Sequence, residues 1–145
     1  MLEEYKSFLA TLTKLSREEE EELWKQYKEQ DLLEARQSLI EHYQPLVFRE
    51  AMKYGLQEAV TLDLIQEGTV GLMEAVERFD PSQGVAFSLY ALHRVRGRML
   101  NFLRRNGSEV LLDDGEEEKV FLTEAIPDTA FESADKSVLN MAVSH

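Results

Sequence analysis

Apolar residues recur along this chain at steps of three and four, and the pattern predicts four helical segments. The first runs from Ser16 to about Gln30, with Leu23, Trp24 and Tyr27 as its apolar stripe and Trp24 assigned to the core. Ser16 and Glu19 fit a capping box, and Glu18 to Glu22 fill the opening turns, where the helix dipole favours negative charge. The second runs from about Asp31 to Tyr54 through Leu32, Ala35, Leu39, Tyr43, Leu46 or Val47, and Ala51. Pro45 should bend or divide it, and Gly55 is placed to end it. The third starts at Thr61, read as an N-cap, and reaches Phe79, with Ile65, Gly68, Leu72, Ala75 or Val76, and Phe79 on its buried face. Gly68 and Gly71 lower its helix propensity and imply close helix–helix approach. A turn cluster, Asp80-Pro81-Ser82-Gln83-Gly84, precedes the fourth segment, about Phe87 to Arg105, whose core face is Ala91, Val95, Met99 and Phe102.

No segment shows the two-residue period of a strand, so the expected fold is all-α: a compact helical bundle over residues 1–106. From Gly107 the helical pattern is lost and acids dominate, so residues 107–145 read as an acidic tail or linker. The chain has 145 residues and no cysteine, which excludes disulfides and thiolate metal sites. It has no apolar run long enough for a membrane helix, and the opening Met1–Lys6 is acidic and unlike a signal peptide, so a cytoplasmic setting is expected.

The net charge of −12 is unevenly partitioned. Residues 1–80 carry −9 and residues 107–145 carry −8, whereas residues 81–106 hold five arginines and no acid. A short basic block between two acidic ones is a divided surface. No catalytic motif appears, His42, His93 and His145 lack metal-ligand spacing, and no cofactor or metal is expected.

Two helical faces stand out. On the third segment Asp63, Gln66, Glu67, Val70, Met73, Glu74 and Glu77 share one stripe that mixes acids with apolar residues. On the fourth, Arg94, Arg98, Asn101 and Arg105 align, with Tyr90 a turn earlier and Phe87 just before it. Arginines suit phosphates and aromatics suit unstacked bases, a composition fitted to single-stranded nucleic acid. Core packing of Phe87 and Tyr90 is the alternative.

The run Asp63-Leu64-Ile65-Gln66-Glu67-Gly68-Thr69-Val70-Gly71-Leu72-Met73 resembles the region 2 motif of sigma-70 family transcription factors. Ala75-Val76-Glu77-Arg78-Phe79-Asp80 and Phe87-Ser88-Leu89-Tyr90-Ala91 follow in that family's order, and Ala35 to Glu41 resembles its opening helix. The resemblance covers roughly residues 16–106. It implies that Leu62, Asp63, Gln66, Glu67 and Met73 dock on the coiled coil of the largest subunit of core RNA polymerase. It also implies that Phe79, Phe87 and Tyr90 capture non-template bases of the promoter −10 element, with His93, Arg94, Arg98, Asn101 and Arg105 along the DNA. An extruded base would stack on an aromatic ring.

Departures from the housekeeping pattern place the chain nearer the alternative factors of flagellar and sporulation type. His93 and Arg94 stand where housekeeping members have paired tryptophans, Val85 replaces an aromatic, Gln83 an arginine, and Gly97 and Leu100 polar readers. In the family, an acidic linker like residues 107–145 leads to a helix-turn-helix that reads the −35 element, so the expectation is either a fragment of such a protein or a region-2-only protein. The resemblance adds an anti-sigma factor or a separate −35-reading subunit as further expected partners. A polymerase-docking regulator that does not read DNA is the rival expectation.

Overall fold

The computed structural model describes residues 1–12 and 14–106. These hold six α-helices and one short 3-10 turn, with no strand among the described residues. The all-α expectation therefore holds, while the acidic tail lies outside the described residues. The chain divides into two units, Met1–Pro45 and Leu46 onward.

In the first unit, α1 (Leu2–Thr11) buries no residue fully, which is why no apolar stripe announced it. Tyr5 donates a hydrogen bond of 2.6 Å from its hydroxyl to Gln44 Oε1, 39 residues away, and burial raises its pKa to about 12. Helix α2 (Arg17–Gln30) starts with the expected capping box: Glu19 N donates to Ser16 Oγ at 3.1 Å and Ser16 N donates to Glu19 Oε1 at 3.0 Å. It stops at Asp31, which takes the left-handed conformation (φ 54°), so Asp31 ends one helix rather than opening the next. Helix α3 (Leu33–His42) packs on α2. Glu20 joins the two: it accepts from Trp24 Nε1 at 3.2 Å and from the Tyr43 hydroxyl at 2.7 Å, with His42 Nε2 3.6 Å away. Burial and this carboxylate push the Tyr43 hydroxyl pKa up.

Pro45 divides the expected second helix. Helix α3 ends at His42, and α4 (Gln44–Met52) begins with the proline in its first turn, where a missing N–H costs nothing. Gly55 follows with φ 60°, as an ending position requires.

Helix α5 (Glu58–Arg78) starts three residues before the expected Thr61 cap. Gln57 is the N-cap. Thr61 N already donates to Gln57 O at 2.9 Å, and the buried Thr61 hydroxyl donates to Leu56 O, so Thr61 closes the first turn instead of opening it. In the 3-10 turn (Pro81–Gln83) Asp80 caps Ser82 N at 3.0 Å, and Gly84 closes it with φ 73°. Helix α6 (Phe87–Arg105) matches the expected span. Its inner face includes Leu100 and Leu103, whereas Phe102 is only half-buried.

Helices α5 and α6 pack along each other. Leu64, Leu72 and Val76 of α5 and Val95, Met99 and Leu103 of α6 are fully enclosed, with Val47 of α4. Gly68 and Gly71 permit this approach, as their positions predicted. A Cβ on Gly68 would lie 2.9 Å from Val47 Cγ1, and one on Gly71 would lie 3.0 Å from the Arg94 carbonyl oxygen. The second obstacle is backbone and cannot rotate away.

Candidate functional site

The α5 stripe is amphiphilic, as the sequence predicts. Asp63, Gln66, Val70 and Glu77 are exposed, and Leu62, Glu67, Met73 and Glu74 are half-buried. Val70 shows 42% of its surface, an apolar side chain set among acids.

The α6 stripe differs from the exposed basic face expected of it. Arg94 and Asn101 are buried, at 4% and 8% exposure. Arg98 turns toward α5 and binds Glu74 through two hydrogen bonds, Nε to Oε1 and Nη2 to Oε2, each 3.0 Å. Its Nη1 lies 3.7 Å from Glu67 Oε2, and Arg105 Nη2 lies 3.6 Å from Glu67 Oε1. The 100° spacing placed these residues on one stripe correctly, but packing turned that stripe toward the neighbouring helix. Burial alone would raise the pKa of Glu74. The Arg98 hydrogen bonds outweigh it, aided by the charges of Arg98, Arg94 and Arg78, and hold the carboxyl below its ordinary value. Glu67 Oε2 is enclosed and makes no hydrogen bond, so its pairing with Arg98 is by charge alone.

The aromatic trio comes together as one cluster. The Phe79 ring centroid is 5.1 Å from that of Phe87, edge-on, and 5.7 Å from that of Tyr90, tilted. All three are about 95% covered, the core packing that the sequence left as the alternative for Phe87 and Tyr90. Edge-to-face packing is favourable, and the turn returns the chain so that Phe79 meets Phe87. The connecting segment from Asp80 to Ala86 is exposed at every position except Val85. His93 is half-buried.

One ion pair escaped the sequence reading. Glu50 of α4 is 3% exposed and accepts from Arg96 Nε at 2.9 Å and from Lys53 Nζ at 3.0 Å. Burial pushes the Glu50 pKa up, but these two cations overcome that and lower it. Glu50 and Arg96 are 46 positions apart, so no local pattern could pair them. Among the described residues no group of three or more His, Cys, Asp or Glu could hold a metal, and no helix is long and apolar enough to cross a membrane. Two surface hollows, of about 300 and 450 Å³, are lined by residues between Thr11 and His42 and include no predicted site residue.

This architecture is all-α: two long helices joined through a capped turn, with an acidic stripe on the first. Residues 39–109 match the Sigma-70 region 2 family. Over those residues the chain is similar to region 2 of the sigma-70 family and to flagellar-type sigma factors. It is 46% identical over 70 residues to RNA polymerase sigma factor FliA of Escherichia coli (strain K12), covering 46% of this chain and 29% of that protein. The FliA of Yersinia enterocolitica gives 46% identity over 70 residues, 46% of this chain and 30% of that protein. The FliA of Salmonella typhimurium gives 44% over 70 residues, 46% of this chain and 29% of that protein. The chain thus spans less than a third of the length of these curated relatives.

Proposed function

We propose that this chain acts in transcription initiation as a sigma factor domain, docking on core RNA polymerase and engaging the promoter −10 element. The observation that carries the docking is the α5 stripe, in which Asp63 and Gln66 are open to solvent beside half-buried Leu62, Glu67 and Met73. Acids around an apolar strip suit a basic coiled-coil surface, with the apolar part supplying affinity and the charges steering the approach.

DNA contact is assigned to Phe79, Phe87, Tyr90, His93, Arg94, Arg98, Asn101 and Arg105. The covered rings give this contact an opening step. A base can stack on them only after they are uncovered, and only unpaired bases can stack, so single strands are favoured; with His93 and Arg94 in place of paired tryptophans the domain alone does not melt a duplex.

The same burial, with Arg98 committed to Glu74, favours the second reading, a regulator that docks on polymerase without reading DNA. Two measurements decide. Glu67→Lys should abolish capture by core polymerase while circular dichroism keeps its helical signal; unchanged capture would refute the docking face. Fluorescence anisotropy of the polymerase-bound protein should show preference for a single-stranded −10 segment over the matching duplex, reduced by Tyr90→Ala in a variant of unchanged helical content. Equal affinities and no effect of Tyr90→Ala would favour the regulator.

A further inference from the structure

The two surface hollows of the unit Met1–Pro45, of about 300 and 450 Å³, share Leu15 and Ser38 and so run into one furrow beside α2. Its apolar floor is Leu12, Leu15 and Leu23, each half-buried and still partly open to water. Its rim carries the carboxylates of Glu18, Glu22 and Glu41. Among the described residues that line it none is lysine or arginine, and none of these three carboxylates stands in an ion pair. Glu22 and Glu41 accept from neutral amides instead, Gln26 at 3.4 Å and Gln37 at 3.3 Å. Glu18 and Glu22 stand one helical turn apart, a like-charge spacing that destabilises a helix, so α2 keeps a repulsion on this face that a cation from outside would relieve. An apolar hollow rimmed by charge of one sign is the form of a recognition surface. No residue of the α5 stripe or of the α6 stripe lines it.

We propose that this furrow is the docking site of a further protein partner, one that lays a cationic amphipathic helix along α2. Apolar anchors of that helix would rest on Leu12, Leu15 and Leu23, and lysines or arginines one turn apart would meet Glu18 and Glu22, whose own spacing is one turn. Charge selects this occupant. Nucleic acid and anionic lipid surfaces are repelled by the rim. Residues 107–145 of this chain carry −8 and are repelled as well. A second copy brings a net charge of −12, and the arginines of its basic block are largely committed: Arg94 is buried, Arg96 is on Glu50 and Arg98 is on Glu74. A cationic segment of another protein has both the sign and the shape, with the apolar contact supplying affinity and the charges steering the approach.

The test uses the full chain and two labelled synthetic peptides of about 18 residues, long enough to form a helix. One has leucines at i, i+3 and i+7 flanked by lysines; the other is its scramble, of equal charge but without the stripe. By fluorescence anisotropy the striped peptide should bind on the order of 10-fold more tightly than the scramble. Glu18→Lys/Glu22→Lys should weaken that binding on the order of 10-fold. Glu29→Lys/Glu34→Lys, the same charge change at exposed positions outside the furrow, should weaken it by about 2-fold at most. In methyl NMR spectra the peptide should shift Leu12, Leu15 and Leu23 and leave the enclosed Leu64 and Leu72 in place. If the reversal lowers helical content, Glu18→Gln/Glu22→Gln carries the same test against Glu29→Gln/Glu34→Gln.

Equal affinity for the peptide and its scramble, or equal losses in the two double variants, would reduce the furrow to diffuse negative charge and overturn the docking site. Shifts confined to α5 would seat the peptide on the stripe around Val70 and Met73 and overturn it as well. The same leucine shifts produced by spermine alone would make the furrow a site for small cations. Concentration-dependent shifts of those leucines without peptide would give it to a second copy of the chain. Either of these last two results would overturn the cationic helix as occupant.

Discussion

The unit Met1–Pro45 and the residues from Leu46 onward are both helical, yet they are held by different forces. Among the described residues the first unit has four buried apolar side chains, Trp24, Ala35, Leu39 and Ile40, against seventeen in the second. The first leans on polar devices: a capping box at Ser16, the Tyr5–Gln44 hydrogen bond, and Glu20 shared by Trp24 and Tyr43. The second is a packed seam of α5 on α6, closed by Leu64, Leu72, Val95 and Met99 around two glycines. Burial of apolar surface scales with area, whereas a hydrogen bond exchanged with water is worth little net. The second unit should therefore dominate stability. It is also where the family match mostly falls, residues 39–109.

That comparison is broken most directly in the seam. Leu72→Ala, at a fully enclosed position, should cost about 2–5 kcal/mol in chemical denaturation. Leu33→Ala, at a 70% exposed position of the first unit, should stay within about 0.5 kcal/mol. Similar losses for the two would erase the distinction.

A smaller effect belongs to the polar centre of the first unit. Glu20→Ala strips the acceptor from Trp24 and Tyr43 and should cost about 1–3 kcal/mol. Native-state hydrogen exchange should then speed up in α2 and α3 and remain slow in α5. Exchange rising equally in α5 would mean the two units open as one. Ser16→Ala removes only a cap and should cost about 1 kcal/mol, again read in α2.

The mildest probe is acid. Glu50 and Glu74 both have carboxyls held below their ordinary value of 4.5, so the unfolded chain binds protons more readily than the folded one. Their contribution is complete above that ordinary value and is lost as pH falls through the lowered folded values. Both lie in the second unit, so stability falling below about pH 4.5 should be blunted in a Glu50→Gln/Glu74→Gln variant. An unchanged acid limb would assign acid sensitivity to other carboxylates.

Much of this was legible locally. The three-and-four spacing located α2, α5 and α6, Pro45 located the break between α3 and α4, and the Ser16–Glu19 box was visible in four residues. Helix α1 escaped because it buries nothing fully, leaving no stripe to read. The Thr61 cap was misplaced because threonine suits the first turn as well as the cap, and only its bonds to Gln57 and Leu56 separate the two.

The sequence by itself determined the all-α class, the helical segments from Ser16 to Arg105, the acidic stripe of α5, and the alignment of Arg94, Arg98, Asn101 and Arg105 on one side of α6. Those follow from periodicity and charge within a single helix, where neighbours are near in sequence. Which way the α6 stripe points was decided by the tertiary structure alone. Gly68 and Gly71 let α5 and α6 approach closely enough for Arg98 to reach Glu74, 24 residues away, and the turn at Asp80–Gly84 folded Phe79 onto Phe87 and Tyr90. An arginine at a given helical angle looks the same whether it meets water or a carboxylate. Only the packing of a second helix, with the apolar area it removes from water, chooses between them.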